Sequence, residues 1–504
     1  MLASIPSATV LGVDGHLVSV EVHVANGLPA FDLVGLPDTA GRESRERVRA
    51  AVHSSALTWP LQRITVNLAP AALRKTGSGL DAAIACGVLQ ASGQLPPGSL
   101  DGIGVVGELG LDGSLRPVPG TLATVDALAK RGVTRVIVPD ASAPEAALLH
   151  SVEVLPARSL DEIRTCLHGE GHWREVAPIT TAQPCGGPEC ATLDDYDDLA
   201  DVRGLHVARS ALAACAAGGH NLLFVGPPGA GKTMLARRIP TILPPLDDTA
   251  ALEVTRIHSA AGTNPRAELI RTPPFRAPHH GASAVALIGG GSARVHPGEV
   301  TLASNGVLFL DELGEFSPSV LDALRQPLED GTVHVSRSGV SVVLPARFVL
   351  VACCNPCPCG LPSSGCRCSD VQRARYRNRL SAPLLDRFDL RLAVEQPDAT
   401  DRPGPPSAEV RARVAAAVDR QQRRFCGSPI RRNAQIPASL LGRYAPLDTD
   451  AAEMLRDIGF VRRLSGRGTA RVHKVARTLA DLDDVGAITA EHVATASELR
   501  DDVV

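Results

Sequence analysis

Val18, Val20, Val22 and Val24 alternate with Ser19, Glu21 and His23. That is the period of a strand buried on one face. Residues 38–57 are charged and helical in pattern, residues 63–68 form another strand, residues 80–91 an apolar helix, and residues 133–138 a further strand. Together they predict a compact α/β unit over residues 1–168. Periodicity fails over residues 169–198, where Pro178, Pro184, Pro188, Gly186 and Gly187 precede Asp194, Asp195, Asp197 and Asp198. This stretch reads as a linker. A second α/β unit fills residues 199–400, and the Pro- and Gly-rich stretch 397–406 breaks the pattern again. Residues 405–504 are helical in pattern, with Val472, Val475, Ala476 and Leu479 at i, i+3, i+4 and i+7.

Composition narrows this picture. A chain of 504 residues fits two to four domains at about 100–200 residues each. With 44% hydrophobic and 21% charged residues it is neither disordered nor collagen-like. No apolar run reaches the ~18–20 residues of a membrane helix. The first residues lack a basic segment followed by a long apolar one, so no signal peptide and a cytoplasmic location are expected. A net charge of −3 argues against a globally basic nucleic-acid binder and leaves room for a local basic groove. Lysine occurs only at Lys75, Lys130, Lys232 and Lys474, so each one merits inspection.

Lys232 lies in the most informative string. The apolar run 221–225 is followed by Gly226, Pro227, Pro228, Gly229, Ala230, Gly231, Lys232 and Thr233, then by a helical stretch. This is the phosphate-binding loop pattern in its strand–loop–helix context. Gly229 and Gly231 allow backbone N–H groups to face phosphate oxygens at a helix N-terminus. Lys232 would reach the β and γ phosphates of ATP, and Thr233 would offer its hydroxyl to Mg²⁺. Downstream, the apolar run 307–310 ends in Asp311 and Glu312. Asp311 would hold Mg²⁺ through oxygen, and Glu312 would polarise the attacking water. Without the loop, such a pair would mark only a strand end. Another apolar strand, 347–352, runs toward Asn355. That residue either holds the water near the γ-phosphate or caps the strand before Pro356.

The loop, the string Phe275-Arg276-Ala277-Pro278-His279-His280, Gly289 to Gly291, residues 305–312 and Leu384-Leu385-Asp386-Arg387-Phe388-Asp389 together resemble the ComM/YifB family. These are AAA+ ATPases related to the magnesium-chelatase ATPase subunit. The resemblance spans residues 10–500. It implies an ATP-driven homo-oligomeric ring, usually a hexamer, and members tied to natural transformation migrate branched DNA. It implies that Asn355 senses the nucleotide, that Arg387 is the arginine finger reaching a neighbour's ATP, and that Arg467 is the second sensor on a helical lid. An arginine from outside the loop would stabilise charge on the transferring phosphoryl group. The plainer reading of Arg387 is an ion pair with Asp386 or Asp389. Other classes remain in view: a protein-remodelling AAA+ chaperone, a magnesium-chelatase subunit, or an ATP-dependent protease.

The first unit resembles the Lon protease domain through residues 73–79 and 107–113. The nucleophile position falls on Gly79, with Ser78 one residue early, and the lysine position falls on Leu122. A serine without an adjacent base is not activated, so a proteolytically inactive domain is expected.

Half of the twelve cysteines lie between Cys353 and Cys368. Cys357, Cys359, Cys366 and Cys368 could close a tetrahedral Zn²⁺ site, although C-x-C spacing is tighter than usual. The alternative is a reduced surface loop. Arg294 in a glycine-rich loop and Arg337 at the tip of an expected hairpin over residues 332–343 are candidate contacts to DNA phosphates. Each could equally be a solvated turn arginine. The same holds for Arg373, Arg375, Arg377 and Arg379, which suit either that surface or a subunit interface. His279 and His280 lack a third metal ligand and read as hydrogen-bonded structural side chains.

Overall fold

In a computed structural model the described residues are 1–35, 39–75, 77–176, 197–264, 268–291, 295–337, 340–361, 365–396 and 401–501. Side chains are described for all of these except 39–42, 337 and 340. The fold is α/β, as the patterning predicts. Strand Leu2–Leu11 pairs antiparallel with Asp14–Ala25, which pairs with Arg63–Ala69, and Ala30–Val34 completes that sheet. The alternation at Val18–Val24 does what its period requires, and all four valines are buried. Helix Asp81–Ala91 is apolar on nearly all sides because it is buried on nearly all sides. A separate parallel sheet joins Ile103–Val105, Arg135–Pro139 and Glu153–Ala157.

The second unit is built on a parallel sheet whose strand order is Phe275–Arg276, Val307–Leu310, Val349–Cys354, Leu222–Val225, Leu390–Ala393. The strands are short and uniformly apolar because helices cover both faces. Leu222, Phe224 and Phe309 enter one core with the C-terminal helices. Leu223, Leu308 and Leu310 enter another on the opposite face. The strand ends at Val225, Leu310 and Cys354 fall side by side, since Val225 is in register with Cys354 and Leu310 with Ala352. Open parallel sheets bind ligands at this edge.

Helices Ser407–Arg424, Thr449–Val461, Gly466–Leu482 and Ala490–Glu498 form the C-terminal unit. It is anchored to the sheet by an Arg391–Arg500 bridge and by the Arg500 guanidinium, which donates to the Phe388 carbonyl at 2.6 Å. Most of the expected linker, residues 177–196, lies outside the described residues. Its acidic end is docked: Asp198 accepts from the Ser407 N–H at 3.0 Å, and Arg238 pairs with Asp197 at 3.2 Å. The Pro-rich breaker is held in the same way, with Pro403 bridged to Arg203. Where the pattern predicts a hairpin over residues 332–343, strands Thr332–Arg337 and Val340–Pro345 pair antiparallel.

Candidate functional site

The loop after Leu222–Val225 turns through Gly229 and Gly231, at φ of 80° and 86°. Side-chain-bearing residues rarely adopt that conformation. Helix Lys232–Arg237 starts directly behind it. Within the loop, the Lys232 ammonium donates to the carbonyls of Gly226 at 2.7 Å and Pro227 at 2.8 Å. It also donates to Asn355 Oδ1 at 3.3 Å. Burial holds its pKa below the ordinary lysine value, against the opposing influence of Cys353, Cys354 and Asp311. Thr233 Oγ1 lies 3.0 Å and 3.2 Å from the two carboxylate oxygens of Asp311. A hydroxyl and a carboxylate meeting in this way supply the oxygen donors that Mg²⁺ prefers.

Glu312 follows at φ 53°, ψ 50°. A side-chain-bearing residue held there costs about 1–3 kcal/mol and persists where the surrounding structure enforces it. Its carboxylate is more than half exposed and lies 3.3 Å from His280 Nδ1. His280 is in turn stacked near His279, with ring centroids 4.0 Å apart. Sequence reasoning set this pair aside as structural. The string that holds it follows strand Phe275–Arg276 at the sheet edge, and only the tertiary register with Val307–Leu310 brings it to Glu312. A cavity of about 620 Å³ opens on that side, lined by His280, Glu315, Phe316, Ser317 and Arg379 among others. Gln396 also escaped sequence reasoning, and it donates to the Pro228 carbonyl at 3.4 Å.

Two hydrogen-bonded pairs, Lys232 with Asn355 and Thr233 with Asp311, thus meet at one end of the sheet. Arg387 and Arg467 lie elsewhere. Arg387 follows the short helix Ala382–Leu385 and donates to Glu329 at 2.6 Å. Its partner is therefore neither Asp386 nor Asp389. Asp389 is engaged by Arg471 at 3.1 Å and His220 at 3.2 Å. Asp389 is buried, which would raise its pKa, but His220, Arg471 and Lys474 outweigh this and hold it below the usual value. Arg467 is exposed in the first turn of Gly466–Leu482. Arg294 lies outside the described residues. Arg337 ends a hairpin strand, and its side chain is likewise outside them.

The four cysteines of the two C-x-C pairs form a group that could hold a metal ion, their Sγ atoms all within 4.8 Å of one another. In the first unit, the Ser78 hydroxyl donates to Glu108 and the Lys75 ammonium to the Pro70 carbonyl. Leu122 is buried in helix Thr121–Ala129.

A phosphate loop between strand Leu222–Val225 and helix Lys232–Arg237, facing an aspartate on the neighbouring strand tip but one, defines a P-loop ATPase of the AAA+ class. Comparison with known proteins is consistent with that class and sharpens it. Residues 198–402 match "Magnesium chelatase, subunit ChlI", residues 20–142 match "Subunit ChlI of Mg-chelatase", and residues 404–500 match the "subunit ChlI C-terminal" description. The chain is 41% identical to the protein YifB of Escherichia coli, covering 99% of this chain and 97% of that one. It is also 41% identical to the competence protein ComM of Haemophilus influenzae, with the same coverage. Over 43% of this chain and 23% of its partner it is 28% identical to the DNA replication licensing factor MCM4 of Arabidopsis thaliana. The chain belongs to the ComM/YifB family of magnesium-chelatase-like AAA+ ATPases. Among the described residues, no helix is long and apolar enough to cross a membrane.

Proposed function

We propose that this chain is one subunit of a hexameric homo-oligomeric ring that hydrolyses ATP to migrate branched DNA, in the cytoplasm, during recombination or natural transformation. The hydrogen-bonded convergence of Lys232, Thr233, Asp311 and Asn355 is the observation that carries the ATPase part. The names of a competence protein and a replication licensing factor among its relatives support the DNA part. Residues 226–233 bind the phosphates, with Lys232 on the β and γ positions. Thr233 and Asp311 hold Mg²⁺, which would neutralise charge on the phosphate oxygens. Glu312 takes the proton of the attacking water, and Asn355 orients that water. Arg387 serves the neighbour's nucleotide, and Arg467 closes the lid over its own. Arg294 and Arg337 are the candidate contacts to DNA phosphates. Residues 1–168 act as a Lon-like unit without proteolytic activity, 169–198 as a linker, 199–400 as the motor core and 405–504 as the lid. Cys357, Cys359, Cys366 and Cys368 would hold Zn²⁺.

The test is ATPase rate and particle mass with forked DNA, linear duplex or unfolded casein. Forked DNA should stimulate hydrolysis most and stabilise a six-subunit particle. Stimulation by casein alone would replace the DNA reading with a chaperone. In the same assay Lys232→Ala should lose nucleotide binding, and Glu312→Gln should keep it while hydrolysis drops about 10²–10⁴-fold.

A further inference from the structure

Three links join the chain around the cysteine group to the nucleotide site. Cys357 Sγ lies 3.3 Å from Cys359 Sγ and 3.6 Å from Cys366 Sγ, and Cys359 Sγ lies 3.8 Å from Cys366 Sγ. All four thiols are free. Zinc–sulfur bonds of about 2.3 Å in a tetrahedron set the sulfurs about 3.8 Å apart. The group has that size, and it is too tight to enclose an iron–sulfur cluster.

The first contact is with the phosphate loop. Gly360 sits at φ 73°, and a Cβ there would come within 2.7 Å of Pro228 Cδ. Gly360, the residue after Cys359, therefore lies directly against Pro228. The second contact is covalent: Asn355, which accepts from Lys232, stands two residues before Cys357. The third runs through helix Asp370–Arg379, which begins just after Cys368 with a Ser369–Gln372 capping box. Its Tyr376 is buried, and a Cβ at Gly314 would meet the Tyr376 ring at 2.5 Å. Arg379 of the same helix donates to the Gly314 carbonyl at 3.0 Å. Gly314 belongs to the turn that carries Asp311 and Glu312. Between Asn355 and Ser369 the described chain has little apolar core of its own. Cys357 is buried, and its carbonyl accepts from the Gly360 N–H at 2.9 Å. A bound metal can substitute for such a core.

We infer that the tetrathiolate zinc centre is a brace for the nucleotide site: metal occupancy fixes Pro228, Asn355 and the Gly314 turn, and its loss weakens ATP binding. The inference rests on the zinc reading above. The cysteines are positioning residues, since they act through Gly360, Asn355 and helix Asp370–Arg379 and not on the nucleotide.

Elemental analysis of the purified full chain should give one zinc per subunit, and the Cys359→Ser/Cys366→Ser variant should give none. Equilibrium binding of a fluorescent ATP analogue should weaken about tenfold or more in that variant, the scale of one lost hydrogen bond or more. Because the variant could misfold, the wild-type chain is also stripped with a chelator, dialysed and given zinc back, with circular dichroism before and after. Nucleotide affinity should fall and recover with the metal. Lys232→Ala should keep its zinc while failing to bind nucleotide. Wild-type protein without stoichiometric zinc would remove the metal reading and the brace together. Stoichiometric zinc whose removal leaves nucleotide affinity within twofold would overturn the brace alone.

Discussion

His258 shows how one side chain can set an acid limit for the fold. It lies in helix Asp248–Ala261, which packs against the first unit. Its ring contacts Thr263 Oγ1 at 3.0 Å through Nδ1 and the Leu302 carbonyl at 3.1 Å through Nε2. A neutral ring satisfies both contacts, donating from Nε2 and accepting at Nδ1. Burial lowers its pKa to about 4, despite the opposing Leu302 hydrogen bond. The unfolded chain takes up this proton near the ordinary histidine pKa of about 6.5, whereas the native chain refuses it until about 4. Above 6.5 both states are neutral and the residue adds no pH dependence. Between about 6.5 and 4 the unfolded state binds the extra proton, so stability falls as pH falls, by about 3 kcal/mol over the window. His258→Gln can keep one donor and one acceptor without titrating. Thermal melts at pH 7 and pH 5 should show a smaller drop in Tm for His258→Gln than for the wild type. Equal drops would place the acid-sensitive group elsewhere.

Elements were legible in the sequence where local period and tertiary burial coincide. Strand Asp14–Ala25 buries alternate residues, and helix Gly466–Leu482 buries Val472, Val475, Ala476 and Leu479, so alternation and helical spacing identify them. Strand Leu2–Leu11 buries Ser7 and Thr9 beside its apolar residues, and that blurs its period. The phosphate loop and Asp311 were readable because their chemistry fixes residue type and order along the chain. The approach of His280 to Glu312, Arg387 to Glu329 and Gly360 to Pro228 was not readable. Those contacts depend on crossover connections that no local pattern encodes. The same limit applies to the C-terminal helices, whose polar core is invisible to periodicity. Asp481 is fully buried and accepts from Arg477 at 2.9 Å, Asn433 at 2.8 Å and Arg424. It joins helix Gly466–Leu482 to Ser407–Arg424. Removing one member of a buried ion network leaves the others uncompensated, at about 3–5 kcal/mol. Asp481→Ala should therefore unfold the helical unit well below the wild-type Tm, visible as early loss of helical ellipticity. The exposed control Asp450→Ala should melt within a degree or two of the wild type. If Asp481→Ala did the same, the network would add nothing to stability.

At the scale of the whole molecule, the first unit is packed onto the motor core. Arg256 pairs with Asp14 at 3.2 Å, the Gly120 N–H donates to the Ser259 carbonyl at 3.1 Å, and Val10, Val13 and Ala123 share a core with the hairpin residues Val333 and Leu344. The hairpin is thus tied at its base to a unit outside the ATPase sheet, a route by which movement at one could reach the other. Arg387 supplies the sharper question, because its pairing with Glu329 leaves it outside the hydrogen-bonded set around Lys232. A finger acting on the neighbouring subunit makes each active site a composite of two chains. Lys232→Ala subunits would have an unusable loop and an intact finger, and Arg387→Ala subunits the reverse. Each ring alone should be inactive. Mixed rings place an intact loop of one kind beside an intact finger of the other at about one interface in four for an equal mixture with random assembly. Hydrolysis should therefore recover to about a quarter of the wild-type rate if sites fire independently, and to less if they fire in sequence around the ring. The rate should peak near equal proportions and vanish at either extreme. If Arg387 instead served its own subunit's nucleotide, no arrangement of these two subunits would contain a complete site, and every mixture would stay inactive.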